Sequence, residues 1–309
     1  MIFDEVRAIL DRVRKNEEKA FVILADGLGG YPLNIPSATK KTNAFFPTSG
    51  TAFFYSLYTQ KTPEHHHTLE HYTRGEEGIY IPLWGKDLNG NRVEEELEDD
   101  LFSLLEEEGI QVQHLTPYLD QPYVKRWGKA QPLNTLSQLY ELPEKDFTFV
   151  NWPMIDYTLH KYGPYSPAFN QEIELLELTV KRLRKRLPPE VKIYVFGDHG
   201  LTESQQKIFL PEIEGNLPVG GERAAFYQLS YDEVANALEN MEGVLVLEKE
   251  ELEAVLGFPL TPEIKRRYGE TAVIAERGYG FVFPYAKPDN VFSHGGLSKE
   301  ERKILIYIL

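Results

Sequence analysis

Six acidic and histidine residues, scattered along the chain, have the types and spacings expected of metal ligands. They are Asp26, Asp156, His160, Asp198, His199 and His294. Carboxylate oxygens and imidazole nitrogens are the ligands that divalent transition metals need, and two such ions need about this many side chains. The first expectation is therefore a metal centre.

The spacing within two pairs strengthens this expectation. Asp156 and His160 are four residues apart, so on a helix they share one face and can chelate one ion, although a surface ion pair has the same spacing. Asp198 and His199 are adjacent and can both reach one ion from the end of a strand. Each residue taken alone could be a turn former, a helix cap or a surface histidine. Their combination is what predicts the metal centre.

Two long apolar runs place the first of these residues. Residues 20–25 and 191–196 read as strands buried on both faces, as in a parallel sheet. Asp26 and Asp198 follow these runs, at the strand ends where open α/β sheets bind their ligands. A third strand, at 146–151, leads into the helix that carries Asp156 and His160. The sheet is thus predicted to bring several ligands to one edge.

The remaining elements follow the same alternation of strands and helices. Helices are predicted at 3–15, 51–59, 94–108, 133–139, 166–187 and 231–239, with two short ones after 247; strands at 44–46, 111–114, 224–229 and 243–247; and hairpins around 89–90 and 278–280. This alternation predicts one doubly wound α/β domain over residues 1–309, with a mostly parallel sheet flanked by helices. Residues 60–145 are less regular, and we interpret them as a peripheral cap or insertion.

Composition excludes several classes of protein. The 309 residues include no cysteine, which rules out disulfides and thiolate metal sites. A net charge of −15 argues against a nucleic-acid surface, but not against an anionic substrate, because bound metal ions can dominate the local field. The N-terminus lacks the apolar run of a signal peptide, and the run at 304–309 is too short to span a bilayer. We expect a cytoplasmic protein with no membrane contact, and the oligomeric state stays open.

The order of the motifs resembles the alkaline phosphatase superfamily and, within it, the type I phosphodiesterase/nucleotide pyrophosphatase branch. The resemblance runs from about residue 20 to the C-terminus. Its matching stretches are VILADG at 22–27, FPT at 46–48, PEHH at 63–66, DYTLHKYGP at 156–164, FGDHG at 196–200 and SHGGLS at 293–298. It implies an alkaline phosphatase-like α/β fold with a small inserted cap. It also implies two divalent ions at the strand ends, zinc or alternatively manganese.

The resemblance also divides the six ligands between the two ions. One ion would be held by Asp156, His160 and His294, and the other by Asp26, Asp198 and His199, shared with a nucleophile. One metal would lower the pKa of the nucleophile, and both would offset charge on the phosphoryl group during transfer. The implied partner is a small anionic substrate that contains phosphate.

The chain departs from the family at the nucleophile. The family pattern is Pro-Thr-x-Thr or Pro-Ser-Thr-Thr, in which the last hydroxyl attacks from a helix N-terminus, and a gapless alignment puts Gly50 at that position. A one-residue bulge would bring Thr51 to the metal, so Thr51 is the predicted nucleophile, with Thr48 and Ser49 as the other candidates. His71 falls where relatives use an asparagine to contact phosphate, and is a candidate for substrate binding or a surface histidine. The histidines at 65–67 are expected to be structural or exposed.

Three hypotheses follow. The first is a metal-dependent hydrolase of phosphodiesters, nucleotide pyrophosphates or phosphomonoesters, with a two-metal mechanism and a hydroxyl nucleophile. The second, motivated by Gly50, is a catalytically impaired relative that binds metal and an anionic ligand as a sensor or binding module. In the third, a metal hydroxide attacks directly. The complete set of six ligands favours an enzyme.

Overall fold

A seven-stranded, mostly parallel sheet forms the centre of the computed structural model, which describes residues 1–93 and 100–309. Its strands are β1 (Lys19–Ala25), β2 (Ala38–Asn43), β6 (Val112–Thr116), β7 (Gln131–Pro132), β8 (Phe147–Trp152), β9 (Val191–Phe196) and β18 (Lys303–Ile308). Their order is β2-β18-β9-β1-β8-β6-β7. Only β18 runs antiparallel to its neighbours, β2 and β9. The predicted α/β class is confirmed.

Helices cover both faces of this sheet. The helices on one face are α1 (Ile2–Arg14), α2 (Gly50–Thr59), α4 (Leu101–Glu107) and α5 (Pro122–Trp127), and those on the other are α6 (Met154–Tyr162) and α7 (Pro167–Arg186). Between these layers β1 and β8 are buried at almost every position, which explains why their sequences are mostly apolar. Among the helices that the structure describes, none is both long enough and apolar enough to cross a membrane.

The observed elements differ from those predicted from the sequence in three places. The strand predicted at 44–46 is wrong, because β2 precedes it as an exposed edge strand whose polar sequence gives no strand signal. The helix predicted at 133–139 is a 3-10 helix at Leu136–Tyr140. Of the acidic helix predicted at 94–108, residues 94–99 lie outside the described residues, and α4 begins after Asp100, whose carboxylate accepts hydrogen bonds from the amides of Phe102 and Ser103.

The segment 60–145 is not peripheral throughout. Two of its strands, β6 and β7, extend the central sheet beyond β8. The rest contains α3 (Pro63–His66) and a small antiparallel sheet of β3 (Thr73–Arg74), β4 (Ile79–Ile81) and β5 (Lys86–Asp87). The predicted turn at Asn89-Gly90 is present, closed by a bridge between Lys86 and Arg92. Strands β6 and β7 therefore belong to the central sheet, and a cap formed by the rest of this segment stays a prediction.

A second sheet lies between residues 206 and 282, which we call the antiparallel lobe. Its elements are β11 (Gln206–Phe209), β12 (Val219–Gly220), β13 (Ala224–Tyr227), α8 (Tyr231–Leu238), β14 (Val244–Leu247), α9 (Lys249–Leu256), α10 (Pro262–Tyr268), β15 (Thr271–Ala275) and β16 (Tyr279–Val282). The expectation that these strands continue the doubly wound sheet was wrong. They form an antiparallel sheet of order β12-β13-β15-β14, and β16 pairs in parallel with β11 instead of forming a hairpin. The half-exposed pattern of β14 is typical of such a one-sided sheet.

The core contains one histidine without polar partners. His114 on β6 is fully buried, and its ring stacks on Phe102 with centroids 4.5 Å apart and planes 12° apart. Neither ring nitrogen has a hydrogen-bond partner among the described residues. Burial lowers the pKa of His114 to about 3, so the folded protein keeps this imidazole neutral. Burial of this imidazole without hydrogen-bond partners therefore lowers the free energy of unfolding.

We expect His114→Phe to stabilise the protein, and to do so more at pH 5 than at pH 7. Below pH 6.5 the unfolded chain protonates His114, whereas the folded state does not until about pH 3, so stability is lost as pH falls. Each such proton changes stability by about 1.4 kcal/mol per pH unit, so the gain should be about 2 kcal/mol larger at pH 5. Urea unfolding at both pH values measures this. An equal gain in the free energy of unfolding at pH 5 and pH 7 would contradict this prediction.

Candidate metal centre

The six ligand candidates converge at the carboxyl end of the central sheet. Asp26 follows β1, and Asp198 and His199 follow the neighbouring strand β9. The helix after β8, α6, carries Asp156 and His160. The sixth residue, His294, directly follows the short strand β17 (Phe292–Ser293), which pairs with β10 (Thr202–Glu203). Parallel neighbours end at the same edge, which is why residues so distant in sequence meet here.

Asp156, His160 and His294 form one group. One potential ligand atom from each lies within 4.8 Å of those of the others, a spacing that could hold a single ion. The Nε2 atom of His160 is 3.3 Å from Oδ2 of Asp156, as expected for residues one helical turn apart. The rings of His160 and His294 have centroids 5.2 Å apart.

Asp26, Asp198 and His199 form the second group, again with ligand atoms within 4.8 Å of one another. Nε2 of His199 is 3.6 Å from Oδ1 of Asp26 and 3.5 Å from Oδ2 of Asp198. The two groups are adjacent, because the ring of His199 stacks on that of His294 with centroids 3.8 Å apart. The division into two sets of three is the one that the sequence resemblance implied.

Backbone carbonyls orient the three imidazoles. Nδ1 of His160 lies 2.7 Å from the carbonyl oxygen of Phe292, and Nδ1 of His294 lies 2.7 Å from that of Thr48. Nδ1 of His199 is 3.3 Å from the carbonyl oxygen of Gly200. A carbonyl only accepts hydrogen bonds, so Nδ1 carries the proton of each neutral ring, and Nε2 keeps a free lone pair toward the carboxylates. This is the tautomer that binds metal through Nε2.

The carboxylates lack the partners that buried charges need. Oδ2 of Asp198 and Oδ1 of Asp156 are buried, and neither has a hydrogen-bond partner within the described parts of the chain. The pKa of Asp26 lies well above its ordinary value, because of burial and then because of the nearby charges of Asp198 and Asp156. Three close carboxylates repel one another unless cations lie between them. The residues present therefore fit divalent metal ions.

Asp156 and His160 form an ion pair without metal. Burial acts to raise the pKa of Asp156, but the imidazoles of His160, His294 and His199 outweigh it and hold that pKa below its usual range. Burial likewise acts to lower the pKa of His160, but Asp156 outweighs it and raises the value to about 9. A metal ion bound here would replace the proton of His160, since only the neutral ring can be a ligand.

Within the segment 48–51, Gly50 is the residue that lies next to the second group. Helix α2 begins at Gly50, and Ser49 is its N-cap, with Oγ accepting a hydrogen bond of 3.3 Å from the amide of Thr51. A Cβ atom on Gly50 would lie 3.2 Å from Oδ2 of Asp198 and 3.7 Å from Nε2 of His199. Gly50 is thus the residue whose side-chain direction faces this group. Thr51, the next residue of α2, is offset from Gly50 by about 100° around the helix axis and lines the same cavity.

Thr48 forms hydrogen bonds with the segment that carries His294. Its hydroxyl accepts a hydrogen bond of 2.7 Å from the amide of Gly295 and donates one of 3.4 Å to the carbonyl oxygen of Gly296. Its own carbonyl holds His294, as described above, and Thr48 is only 1% exposed. These contacts give Thr48 a structural role beside the ligand candidates.

A cavity of about 610 Å³ opens above both groups. It is lined by ligand candidates, by Ser49, Gly50, Thr51 and His71, and by residues that the sequence analysis missed. The missed residues are Phe54, Glu70, Tyr72, Leu83, Trp84, Tyr118, Gln121, Gly221, Glu222, Phe283, Tyr285, Ala286, Lys287 and Pro288. Most of them come from segments without a motif, around 70–84 and 283–288, and only the fold brings them to the site.

The histidines near α3 have different environments. His71 lines the cavity with its ring edge-on to Tyr72, and burial lowers its pKa to about 4, so it is neutral near pH 7. His66 lies outside the cavity lining, where Nε2 is 3.0 Å from the Ser56 hydroxyl and Nδ1 accepts a hydrogen bond from the amide of Thr68. His71 is therefore available to a ligand in the cavity, whereas His66 is part of the packing.

The chain resembles a known protein family in sequence. The sequence profile of the family described as type I phosphodiesterase / nucleotide pyrophosphatase matches residues 36–297. No functionally curated protein matches the sequence.

Several solved structures share the fold. Murine ectonucleotide pyrophosphatase/phosphodiesterase 5 aligns with a TM-score of 0.71 at 18% identity, over 94% of this chain and 88% of the murine one. An inactive threonine-to-alanine variant of the murine protein in complex with AMP aligns with a TM-score of 0.70 at 18% identity, covering 94% and 87%. Phosphonoacetate hydrolase from Sinorhizobium meliloti 1021, in complex with phosphonoacetate, aligns with a TM-score of 0.67 at 15% identity, covering 94% and 89%.

Proposed function

The chain belongs to the type I phosphodiesterase/nucleotide pyrophosphatase family, a branch of the alkaline phosphatase superfamily, and we propose that it is a metal-dependent hydrolase of phosphoric esters. The observation that carries the proposal is the pair of three-residue groups at the carboxyl end of the sheet, each able to hold one ion. The orientation of the three imidazoles and the unpartnered oxygens of Asp198 and Asp156 support it.

In this proposal Asp156, His160 and His294 hold one divalent ion, and a second is held by the residues Asp26, Asp198 and His199. Zinc suits these nitrogen and oxygen ligands, with manganese as the alternative. When bound, such ions lower the pKa of an attacking group and offset charge on the phosphoryl group.

Other residues of the cavity would bind the substrate. The N-terminus of α2, ten residues long, offers amide groups and the positive end of a helix dipole to a phosphate. His71, which lines the cavity, can donate a hydrogen bond to a phosphoryl oxygen when it is neutral. Tyr72, Phe283 and Tyr285 form an aromatic wall, with ring centroids 5.1 to 5.7 Å apart, which favours a flat or apolar ester group.

The relatives support a small anionic substrate. One structure of the murine relative contains AMP, and the bacterial one contains phosphonoacetate, so both bind small ligands with a phosphate or phosphonate group. We therefore propose a soluble phosphate-containing compound as the substrate of this chain. Its net charge of −15 is compatible with this, because two bound ions would dominate the field in the cavity.

The second candidate function is a catalytically impaired metal-binding protein. The observation that favours it is Gly50, which faces Asp198 without a hydroxyl. The murine variant that lost a threonine hydroxyl is inactive. Gly50→Thr discriminates, because an impaired protein should gain a large turnover. If the wild type is active and Gly50→Thr is no better, this alternative fails.

We expect metal-loaded protein to hydrolyse at least one of p-nitrophenyl phosphate, bis(p-nitrophenyl) phosphate and nucleotide pyrophosphates. Zinc or manganese at 100 times its dissociation constant should also stabilise the fold by about 2.7 kcal/mol for each ion bound, which differential scanning calorimetry measures. Chelator-treated protein is the control and should lose both effects. Stabilisation by metal without hydrolysis of any of the esters would favour the binding protein. Absence of both would contradict the metal centre itself.

A further inference from the structure

A half-buried carboxylate and the aromatic wall line the same side of the cavity. The carboxylate belongs to Glu222, in the turn between β12 and β13. Backbone contacts fix it relative to the wall. Tyr72 exchanges hydrogen bonds of 2.9 and 3.0 Å with Gly220, and the carbonyl oxygen of Glu222 accepts one of 2.7 Å from the amide of Phe281. Phe281 lies two residues before Phe283, so strand pairing holds the carboxylate and the rings together.

Neutral groups hold the carboxylate of Glu222. Oε1 accepts a hydrogen bond of 2.6 Å from the side-chain amide of Asn290, and Oε2 accepts one from the hydroxyl of Ser293. The neighbouring lysines have other partners, because Lys161 pairs with a surface aspartate and Lys207 donates to the carbonyl oxygen of Asn290. Within residues 1–93 and 100–309, no lysine or arginine forms an ion pair with Glu222. Its charge therefore lacks a cation.

Hydrogen bonding and ring contacts make the aromatic wall rigid. The hydroxyl of Tyr285 donates a hydrogen bond of 2.7 Å to the carbonyl oxygen of Pro218, and Phe283 stacks on the Tyr285 ring with planes 29° apart. The ring of Tyr72 stands at 79° to that of Tyr285, so the wall has ring faces in two directions. The faces of aromatic rings attract ammonium groups through their quadrupoles.

The charges of the cavity favour a cationic ligand. The two groups of three contain three carboxylates, so two divalent ions would leave one positive charge, which a singly charged phosphodiester balances. Glu70 contributes little charge at pH 7, because burial raises its pKa to about 8. Lys287 lines the cavity but is exposed, so solvent screens its charge. The negative charge of Glu222 then remains for a positive part of the substrate.

The hydrogen bonds of Glu222 favour one kind of cation. Each carboxylate oxygen already accepts a hydrogen bond, so what it offers a ligand is mainly electrostatic attraction. A quaternary ammonium group has no proton to donate, and its methyl groups can pack on aromatic rings. We propose, on the basis of the hydrolase function proposed above, that the substrate is a soluble phosphodiester with a quaternary ammonium group, which Glu222 and the aromatic wall recognise.

A matched pair of esters tests the charge of the substrate. In p-nitrophenyl neohexyl phosphate a carbon atom replaces the nitrogen of p-nitrophenyl phosphorylcholine, so the two esters share a leaving group and a shape but only the second is cationic. We expect metal-loaded wild type to hydrolyse the cationic ester with a kcat/KM about tenfold higher. Equal values, or preference for the neutral ester, would overturn recognition of a cation and leave the hydrolase function standing.

Glu222→Gln tests the carboxylate. Glutamine has a similar size and can still accept the hydrogen bond from Ser293, but it carries no charge. The preference for the cationic ester should therefore fall from about tenfold to below about threefold. If Glu222 only orients Ser293 beside His294, both kcat/KM values would fall equally and the preference would remain, which would overturn its role. The matched control is Glu212→Gln, at an exposed position outside the cavity lining, which should keep the preference.

Tyr72→Leu tests the wall, with Tyr72→Phe as its matched control. Phenylalanine keeps the ring, so the preference for the cationic ester should remain, whereas leucine should lower it about fivefold. The same preference in both variants would overturn the role of the ring. This pair keeps the proposal falsifiable if Glu222→Gln does not fold.

Binding separates recognition from catalysis. Isothermal titration of metal-loaded protein should give a dissociation constant for phosphocholine about tenfold lower than that for neohexyl phosphate. Equal affinities would overturn recognition of the cation. Tighter binding of phosphocholine without turnover of any ester would overturn the hydrolase function alone. Vesicles of phosphatidylcholine test a lipid source of the same group, and faster hydrolysis of the vesicles than of the p-nitrophenyl ester would overturn a soluble substrate.

Discussion

Asp198→Asn is expected to lower kcat/KM for the best ester substrate by about a thousandfold, equivalent to about 4 kcal/mol of transition-state stabilisation. Oδ1 of Asp198 accepts hydrogen bonds from the amides of Gly27 and His199, and an asparagine oxygen can keep these. The amide nitrogen then replaces Oδ2, which faces Asp26 and His199. An amide nitrogen has no lone pair to offer a cation, so one ion should be lost.

Metal content gives this prediction a readout independent of turnover. Dialysed wild-type protein should contain two ions per chain, and Asp198→Asn only one. Asp156→Asn is the matched variant, because it removes a carboxylate from the other group of three and should also leave one ion. Wild-type activity in Asp198→Asn, or an unchanged metal content, would contradict the assignment.

The same variant should have the opposite effect on metal-free protein. Without cations, Asp198 is one of the charges that raise the pKa of Asp26, so its replacement removes repulsion inside a buried cluster. Chelator-treated Asp198→Asn should therefore melt above chelator-treated wild type. With metal present, the order should reverse, because the wild type gains more from the ions. Two melting curves for each protein are sufficient.

The second large effect is expected from Arg223→Met, which should destabilise the protein by about 3–5 kcal/mol. Arg223 and Glu301 are 1% and 0% exposed and form an ion pair of 2.9 Å. Arg223 also donates to the carbonyl oxygens of Ala275, Glu276 and Tyr279. Methionine fills similar space but leaves the charge of Glu301 buried without its partner.

This ion pair connects the antiparallel lobe to the candidate metal centre. Arg223 immediately precedes β13, and Glu301 accepts hydrogen bonds from the amides of Gly296 and Ser298, just after His294. We therefore expect Arg223→Met also to weaken metal binding, through the loosened position of His294. Isothermal titration with zinc and urea unfolding measure the two effects.

A surface pair provides the control for Arg223. Arg266 and Glu263 are 2.6 Å apart on α10, but their side chains are 46% and 30% exposed. Arg266→Met should cost less than about 1 kcal/mol, because solvent already screens the pair. Equal destabilisation by the two variants would show that burial of Arg223 and Glu301 does not increase the contribution of their ion pair to stability.

The convergence of the six ligand candidates could be predicted from the sequence because few physical requirements determine where these residues lie. Strands β1 and β9 are mostly apolar and buried, and Asp26, Asp198 and His199 follow them at the edge where open α/β sheets bind their ligands. The one-turn spacing of Asp156 and His160 needs only a helix to place both on one face. The order of the motifs then implied the two groups of three.

Other features could not be predicted because they depend on contacts between distant segments. Glu70 is one of many glutamates until Gly221 and Gly295 enclose it. The aromatic wall joins Tyr72 to Phe283 and Tyr285 across more than half of the sequence. The antiparallel lobe has the same alternation of strands and helices as a doubly wound sheet. Only the pairing of its strands, which local sequence does not encode, distinguishes the two.

The antiparallel strand β18 determines when the central sheet can be completed. It lies between β9 and β2, yet it follows every other strand of the sheet in sequence. During synthesis β2 has no neighbour in the sheet until some 260 further residues have been added. In that interval its polar sequence, with Lys40 and Lys41, discourages pairing with strands of other chains. The polar sequence of β2, which gives no strand signal, is thus also expected to reduce aggregation of the nascent chain.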